Sequence, residues 1–125
     1  MLRLMCKGKI HRATVTEADL DYVGSITIDT LLMKAANILP YEMVQVTNLS
    51  NATRWKTYAF PGEEGSGRIC LNGPPARLFR PGDRVIILSL GLFDEEELKR
   101  LVPRVVFVDG ANRITACKEE PIFTL

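Results

Sequence analysis

Apolar and polar positions alternate along this chain in short runs, and turn residues cut those runs at close intervals. Residues 2–16 read as strand, in one or two pieces, with an interruption at Gly8. Period-two alternation places Lys9, His11 and Ala13 on one face there, and Ile10 and Arg12 on the other. Residues 22–28 are strand-like again, with a weak point at Gly24. Asp29 stands as an N-cap for a helix over residues 30–37. Leu31, Leu32, Ala35, Ala36 and Leu39 recur at helical spacing, and Pro40 is the expected stop. Residues 42–49 and 54–60 form a strand pair around the turn-like Ser50-Asn51-Ala52 and read as a hairpin. A loop rich in glycine and acid follows over 61–67. A short strand over 68–71 then runs into Asn72-Gly73-Pro74-Pro75, a turn signal. Arg80-Pro81-Gly82-Asp83 suits a type II turn, with Pro81 presetting φ and Gly82 supplying φ > 0. The apolar run over 85–93 reads as a buried strand. Asp94 with Glu97 is a capping-box pattern opening a short helix to Leu101, and residues 105–108 are a last strand. From Asp109 onward no pattern is visible. Tyr41, Trp55, Phe60 and Phe79 read as packing residues. Many short strands with two short helices imply a mainly β fold, a small barrel rather than a parallel α/β sheet.

Composition narrows the class. The chain has 125 residues, enough for one domain, and is 46% hydrophobic and 25% charged. Sixteen basic and 15 acidic residues leave a net charge of +1, so electrostatics give little drive toward nucleic acid or an anionic membrane. The apolar run at 85–93 is too short for a membrane span, and the first residues lack a secretory pattern. Cys6, Cys70 and Cys117 are odd in number and widely spaced. That argues against a disulfide framework or a zinc site and suits a cytoplasmic setting.

The common reaction classes lack their residues. A serine hydrolase would have to use His11, the only histidine, and no Gly-x-Ser-x-Gly elbow is present. Metal ligands at short spacing, a phosphate loop and a dinucleotide fingerprint are all missing. What remains is Gly24-Ser25 after Tyr22, Lys9 with His11, the run Arg54 to Tyr58, and Asn72-Gly73. Taken singly, each has an ordinary structural reading: turn dipeptides, solvated charges, a rim tyrosine.

Taken together, Lys9-Ile10-His11-Arg12, Tyr22-Val23-Gly24-Ser25, Arg54-x-x-Thr57-Tyr58 and Asn72-Gly73 resemble, in order and spacing, the bacterial aspartate 1-decarboxylases. The resemblance runs from residue 1 to about 114. It implies a six-stranded double-psi β-barrel with a few short helices, assembled as a homotetramer with sites between subunits. It also implies self-cleavage between Gly24 and Ser25, giving chains 1–24 and 25–125, with a pyruvoyl group made from Ser25 and neither metal nor pyridoxal phosphate. L-aspartate would condense with that group as a Schiff base and lose carbon dioxide, giving β-alanine for pantothenate and coenzyme A synthesis. By the same resemblance Thr57 polarises the Gly24 carbonyl during processing and also borders the substrate, and Tyr58 is the proton donor. Arg54 holds a substrate carboxylate, Lys9 adds charge from a neighbouring subunit, and Asn72 and Gly73 line the site with amide donors. His11 and Tyr22 lie nearby without an assigned role. Pro74 and Pro75 stand where the family often has small residues, and neither offers an N–H. Strict alternation puts Arg54 and Tyr58 on one face of their strand and Thr57 on the other. The segment from about 115 falls outside the resemblance and reads as a flexible tail. A non-catalytic barrel that binds a partner is the competing reading, and an unprocessed, inactive homologue is a third.

Overall fold

A computed structural model describes residues 1–122. Nine strands form one sheet in the order β2-β6-β3-β5-β4-β7-β1-β8-β9. In chain order they are β1 (Arg3–Thr14), β2 (Glu17–Asp19), β3 (Ser25–Asp29), β4 (Met43–Asn48), β5 (Arg54–Gly62), β6 (Ile69–Asn72), β7 (Arg84–Phe93), β8 (Arg104–Val108) and β9 (Ile114–Glu119). Helix α1 (Thr30–Ala35) follows β3 and helix α2 (Glu95–Leu98) follows β7, while a 3-10 turn occupies Pro74–Arg77. The pairs β1–β8, β2–β6 and β3–β5 are parallel; the others are antiparallel.

The sheet curls around a single core. Ile10 of β1, Ile26 and Ile28 of β3, Leu71 of β6, Val85 and Ile87 of β7 and Val106 of β8 belong to one buried cluster. Thr16, just before β2, extends the β2–β6 pairing by donating its N–H to Ile69 O at 2.8 Å. The mainly β, barrel-like fold expected from the sequence therefore forms, with two short helices. Its nine strands exceed the six of the barrel that the resemblance implies. Among them are β2, three residues long, and β9, which is exposed along most of its length.

Local chemistry sets most boundaries. The Asp29 carboxylate caps α1 by accepting from Leu31 N at 2.9 Å. Pro40 does not end this helix. Asn37 takes φ 58°, and Ile38 N–H bonds back to Met33 O while Asn37 N–H bonds to Lys34 O, the Schellman closure that an asparagine at this position allows. Both reciprocal bonds of the Asp94–Glu97 capping box are present, although α2 stops at Leu98. Gly82 adopts φ 93° in the Arg80–Asp83 turn, as expected.

Further expectations need correction. Ala13 is buried on the same side as Ile10, because Arg12 takes φ 62° and shifts the β1 register between Ile10 and Ala13. The strand expected from residue 22 begins only at Ser25, since Asp19 Oδ1 accepts from Asp21 N and turns the chain there. The segment read as a tail from about 115 starts inside β9, which pairs antiparallel with β8 through Glu119. β9 is built from pairing with β8 and carries no core-facing stripe, so alternation could not reveal it. The end of that expected tail, residues 123–125, lies outside the described residues. Phe79 is fully buried and Trp55 packs against the core, but Tyr41 is 68% and Phe60 39% exposed.

Candidate active site

Every residue of β3 is buried, which is unusual for a strand that opens on a serine and carries a threonine and an aspartate. Burial of these polar groups requires partners, and β6 supplies them. The antiparallel register sets Ser25 opposite Asn72 and Thr27 opposite Cys70. Directly opposed side chains share a face. Asn72 Nδ2 accordingly donates to Ser25 Oγ and to Thr27 Oγ1, both at 3.0 Å. Its Oδ1 accepts from the Cys70 thiol at 3.2 Å. Burial, and secondly the charge of Glu17, push the Cys70 thiol above its ordinary 9.0, so it keeps its proton.

Gly24 and Gly73 meet backbone to backbone. Gly73 has φ 79°, and a Cβ built on it would lie 2.9 Å from Gly24 Cα and 3.3 Å from Tyr22 O. The Gly73 N–H donates to Asp19 O at 2.8 Å, so that amide is engaged within the chain and is no free donor for a substrate. Pro74 opens the 3-10 turn, where its missing N–H leaves nothing unsatisfied, and a Cβ on Gly24 would be 3.9 Å from its ring. Pro75 is buried. A cavity of about 280 Å³ lies beside this junction, lined by Asp19, Tyr22, Thr27, Phe60, Arg68 and Asn72 among others.

Strand β5 runs parallel to β3 with Ile26 beside Ala59. Continued back by one and two residues, that register sets Ser25 level with Tyr58 and Gly24 level with Thr57. Thr57 is buried, whereas Tyr58 is half-buried and stacked on Tyr41 at 5.5 Å. The two side chains face opposite sides of β5, as alternation predicts. Among the described residues no hydrogen bond joins Thr57 to Gly24. Arg54 is exposed at the start of β5, on the Tyr58 side.

Lys9 and His11 are not brought to this cluster. Both lie on β1, where His11 meets Phe107 edge-on at 5.5 Å. Its Nδ1 is buried and has no hydrogen-bond partner among the described residues. Burial, then the charges of Lys9 and Arg12, hold its pKa below 6.5. The sequence pattern missed Cys70 and Thr27. Their signal was period-two spacing, Thr27 from Ser25 and Cys70 from Asn72, but it means something only once β3 and β6 are known to pair.

Fold and site together define a small β-barrel-like protein with a buried serine at a glycine–serine junction and an amide donor fixed on its hydroxyl. Among the described residues, no group of His, Cys, Asp and Glu side chains could hold a metal ion, and no helix is long and apolar enough to cross a membrane. The aspartate decarboxylase family model matches residues 1–115. The chain is 57% identical over 119 residues to the aspartate 1-decarboxylase of Moorella thermoacetica, covering 95% of this chain and 93% of that protein. It is 58% identical over 120 residues to the enzyme of the same name from Acetivibrio thermocellus, covering 96% and 95%. For that of Carboxydothermus hydrogenoformans the identity is 57% over 122 residues, covering 98% and 96%. This chain belongs to the aspartate decarboxylase family.

Proposed function

We propose that the chain cleaves itself between Gly24 and Ser25 and then decarboxylates L-aspartate to β-alanine, a precursor for pantothenate synthesis. One observation carries this reading: within a chain of this family, the buried Ser25 Oγ accepts a hydrogen bond from Asn72 beside Gly24, whose backbone lies close against Gly73. In the first step Ser25 Oγ bonds to the Gly24 carbonyl carbon, the C–N bond breaks, and the hydroxyl proton ends on the Ser25 nitrogen. In the second, Ser25 Cα gives up a proton to water, the Cβ–Oγ bond breaks, and Gly24 departs as a carboxylate. The dehydroalanine left on residue 25 takes up water and releases ammonia, leaving a ketone. Negative charge gathers on the Gly24 carbonyl oxygen in the attack, and on Oγ in the departure, when the Cβ–Oγ bond breaks. A donor already aimed at Oγ stabilises that departure without reorganising. Thr57, level with Gly24, is the candidate to polarise its carbonyl.

The resulting pyruvoyl group fits this position, since Ser25 is buried and flanked by neutral donors and hydroxyls; it supplies an electron sink for the pair released as the α-carboxylate leaves. Around it, Tyr58 Oη would deliver the proton that replaces the carboxylate. Arg54, exposed and on the same side of β5, would grip the substrate's second carboxylate through its planar fork. Lys9 and His11 would serve the site of an adjoining copy in a homotetramer. Their distance in the sheet from Ser25 supports that, as does the exposed apolar face of Leu39, Tyr41, Met43 and Phe60 next to Tyr58. Three free cysteines suit a cytoplasmic setting.

Denaturing mass measurement of aged protein should show two fragments meeting at residues 24 and 25, and aspartate should yield β-alanine and carbon dioxide. Ser25→Ala should stay whole and folded. An intact wild-type chain after long incubation, with no carbon dioxide from aspartate, would refute the reading.

A further inference from the structure

We propose that Cys70 and Thr27 hold the Asn72 amide the right way round for self-cleavage, and are positioning residues for the Gly24–Ser25 bond. The inference rests on the self-cleavage proposed above.

A primary amide can sit in a pocket in either of two orientations, since its oxygen and nitrogen are alike in size. In one, Nδ2 faces Ser25 Oγ; in the other, Oδ1 does. Hydroxyls accept or donate and so fit both. Ser25 and Thr27 therefore cannot decide between them. Cys70 biases the choice: its thiol donates to the Asn72 oxygen at 3.2 Å, whereas the flipped amide would turn its N–H groups from two hydroxyl oxygens to sulfur, a weaker acceptor. With Oδ1 fixed on the thiol, both N–H groups must point toward β3. Thr27 Oγ1 accepts one at 3.0 Å, which leaves the other for Ser25 Oγ at 3.0 Å. All four side chains are nearly or wholly buried, which favours partners within the protein. The orientation matters because Oγ becomes negative as the Cβ–Oγ bond breaks and the two fragments part. The observed amide donates to that charge. A flipped one would set a carbonyl dipole against it.

The test is the rate of splitting, followed by denaturing mass, in wild type, Cys70→Ala, Cys70→Ser, Thr27→Val, Asn72→Ala and the double variant Cys70→Ala/Asn72→Ala. Thermal unfolding of each reports that it is folded. Alanine cannot donate, so Cys70→Ala should split about fivefold more slowly, the size of one lost neutral hydrogen bond. Thr27→Val should slow by a similar factor. Serine has nearly the volume of alanine but keeps a donor, so Cys70→Ser should split at close to the wild-type rate; a mere packing role would slow both alike. If Cys70 acts through Asn72, Cys70→Ala should add nothing in the Asn72→Ala background. Should Asn72→Ala not split at all, the contrast between Cys70→Ser and Cys70→Ala decides alone. The inference is overturned if Cys70→Ala splits at the wild-type rate, if Cys70→Ser is as slow as Cys70→Ala, or if Cys70→Ala slows the Asn72→Ala chain by its full factor. A wild-type chain that never splits removes the reading beneath it as well; a splitting wild type with an unaffected Cys70→Ala removes this inference only.

Discussion

Replacing Gly73 with alanine puts a methyl group where the chain has no room for it, directly against the bond proposed to break. Gly73 holds φ 79° and ψ −146°. A residue with a Cβ adopts such a conformation at a cost of about 1–3 kcal/mol. The new Cβ would stand 2.9 Å from Gly24 Cα and 3.1 Å from Gly24 N, so the two backbones must part by about half an ångström to reach ordinary contact. Taking roughly 3 kcal/mol for strain and crowding together, the unfolding temperature should fall by about 12 °C in a chain of this length. The displaced atoms flank the carbonyl that Ser25 is proposed to attack. Misplacement on the order of 1 Å costs about a hundredfold in rate, so cleavage should slow by roughly tenfold.

Gly82 supplies the control. Its φ is 93°, yet nothing lies within 4 Å of a Cβ built there. Gly82→Ala should therefore cost only conformational strain, about 1–2 kcal/mol, and leave cleavage at the wild-type rate. Thermal unfolding and a time course of splitting, run on both variants, separate backbone strain from contact with Gly24. Wild-type splitting in Gly73→Ala, or equal slowing in both variants, would refute the claim that the Gly73 contact sets the geometry of the junction.

The Asp29 carboxylate accepts from Leu31 N at 2.9 Å, Gly65 N at 2.9 Å and Gly67 N at 2.8 Å, so Asp29→Asn should lower stability by about 3 kcal/mol, read from the denaturant midpoint. Tyr58→Phe keeps the stack on Tyr41 and should still split, but lose about a hundredfold in turnover of aspartate; normal turnover would remove Tyr58 from its role. The folded chain disfavours protonation of His11, flanked by Lys9 and Arg12 and packed on Phe107, which Lys118 covers at 5.3 Å. Its folded pKa lies below 6.5, so the unfolded chain takes up a proton first, and stability present above 6.5 is lost as pH falls through the folded pKa. His11→Gln should flatten that part of the profile of unfolding temperature against pH.

What the sequence made legible was what its local chemistry decides. A capping aspartate, a capping box, a Pro-Gly turn and two-residue alternation each act within a few residues, and the structure honours them at Asp29, Asp94, Gly82 and the β4–β5 hairpin. The misses share a different cause. Nothing near Arg12 announces its positive φ, which exists because β1 must serve β7 and β8 at once. β9 forms by pairing with β8 and draws little from burial, so no stripe betrays it. The site divides along the same line. Ser25, Tyr58 and Asn72 could be singled out because they sit in a recognisable order. Cys70 and Thr27 could not, because the role proposed for them depends on a pairing between strands more than forty residues apart, Ser25 opposite Asn72. Once that register is fixed, the rest follows: opposite residues share a face, a face that is buried must satisfy its polar atoms, and the arrangement that gives the N–H groups hydroxyl oxygens rather than sulfur presents one of them to the serine. A shift of one residue in this register would send Asn72 to the other face and leave Ser25 buried without its donor.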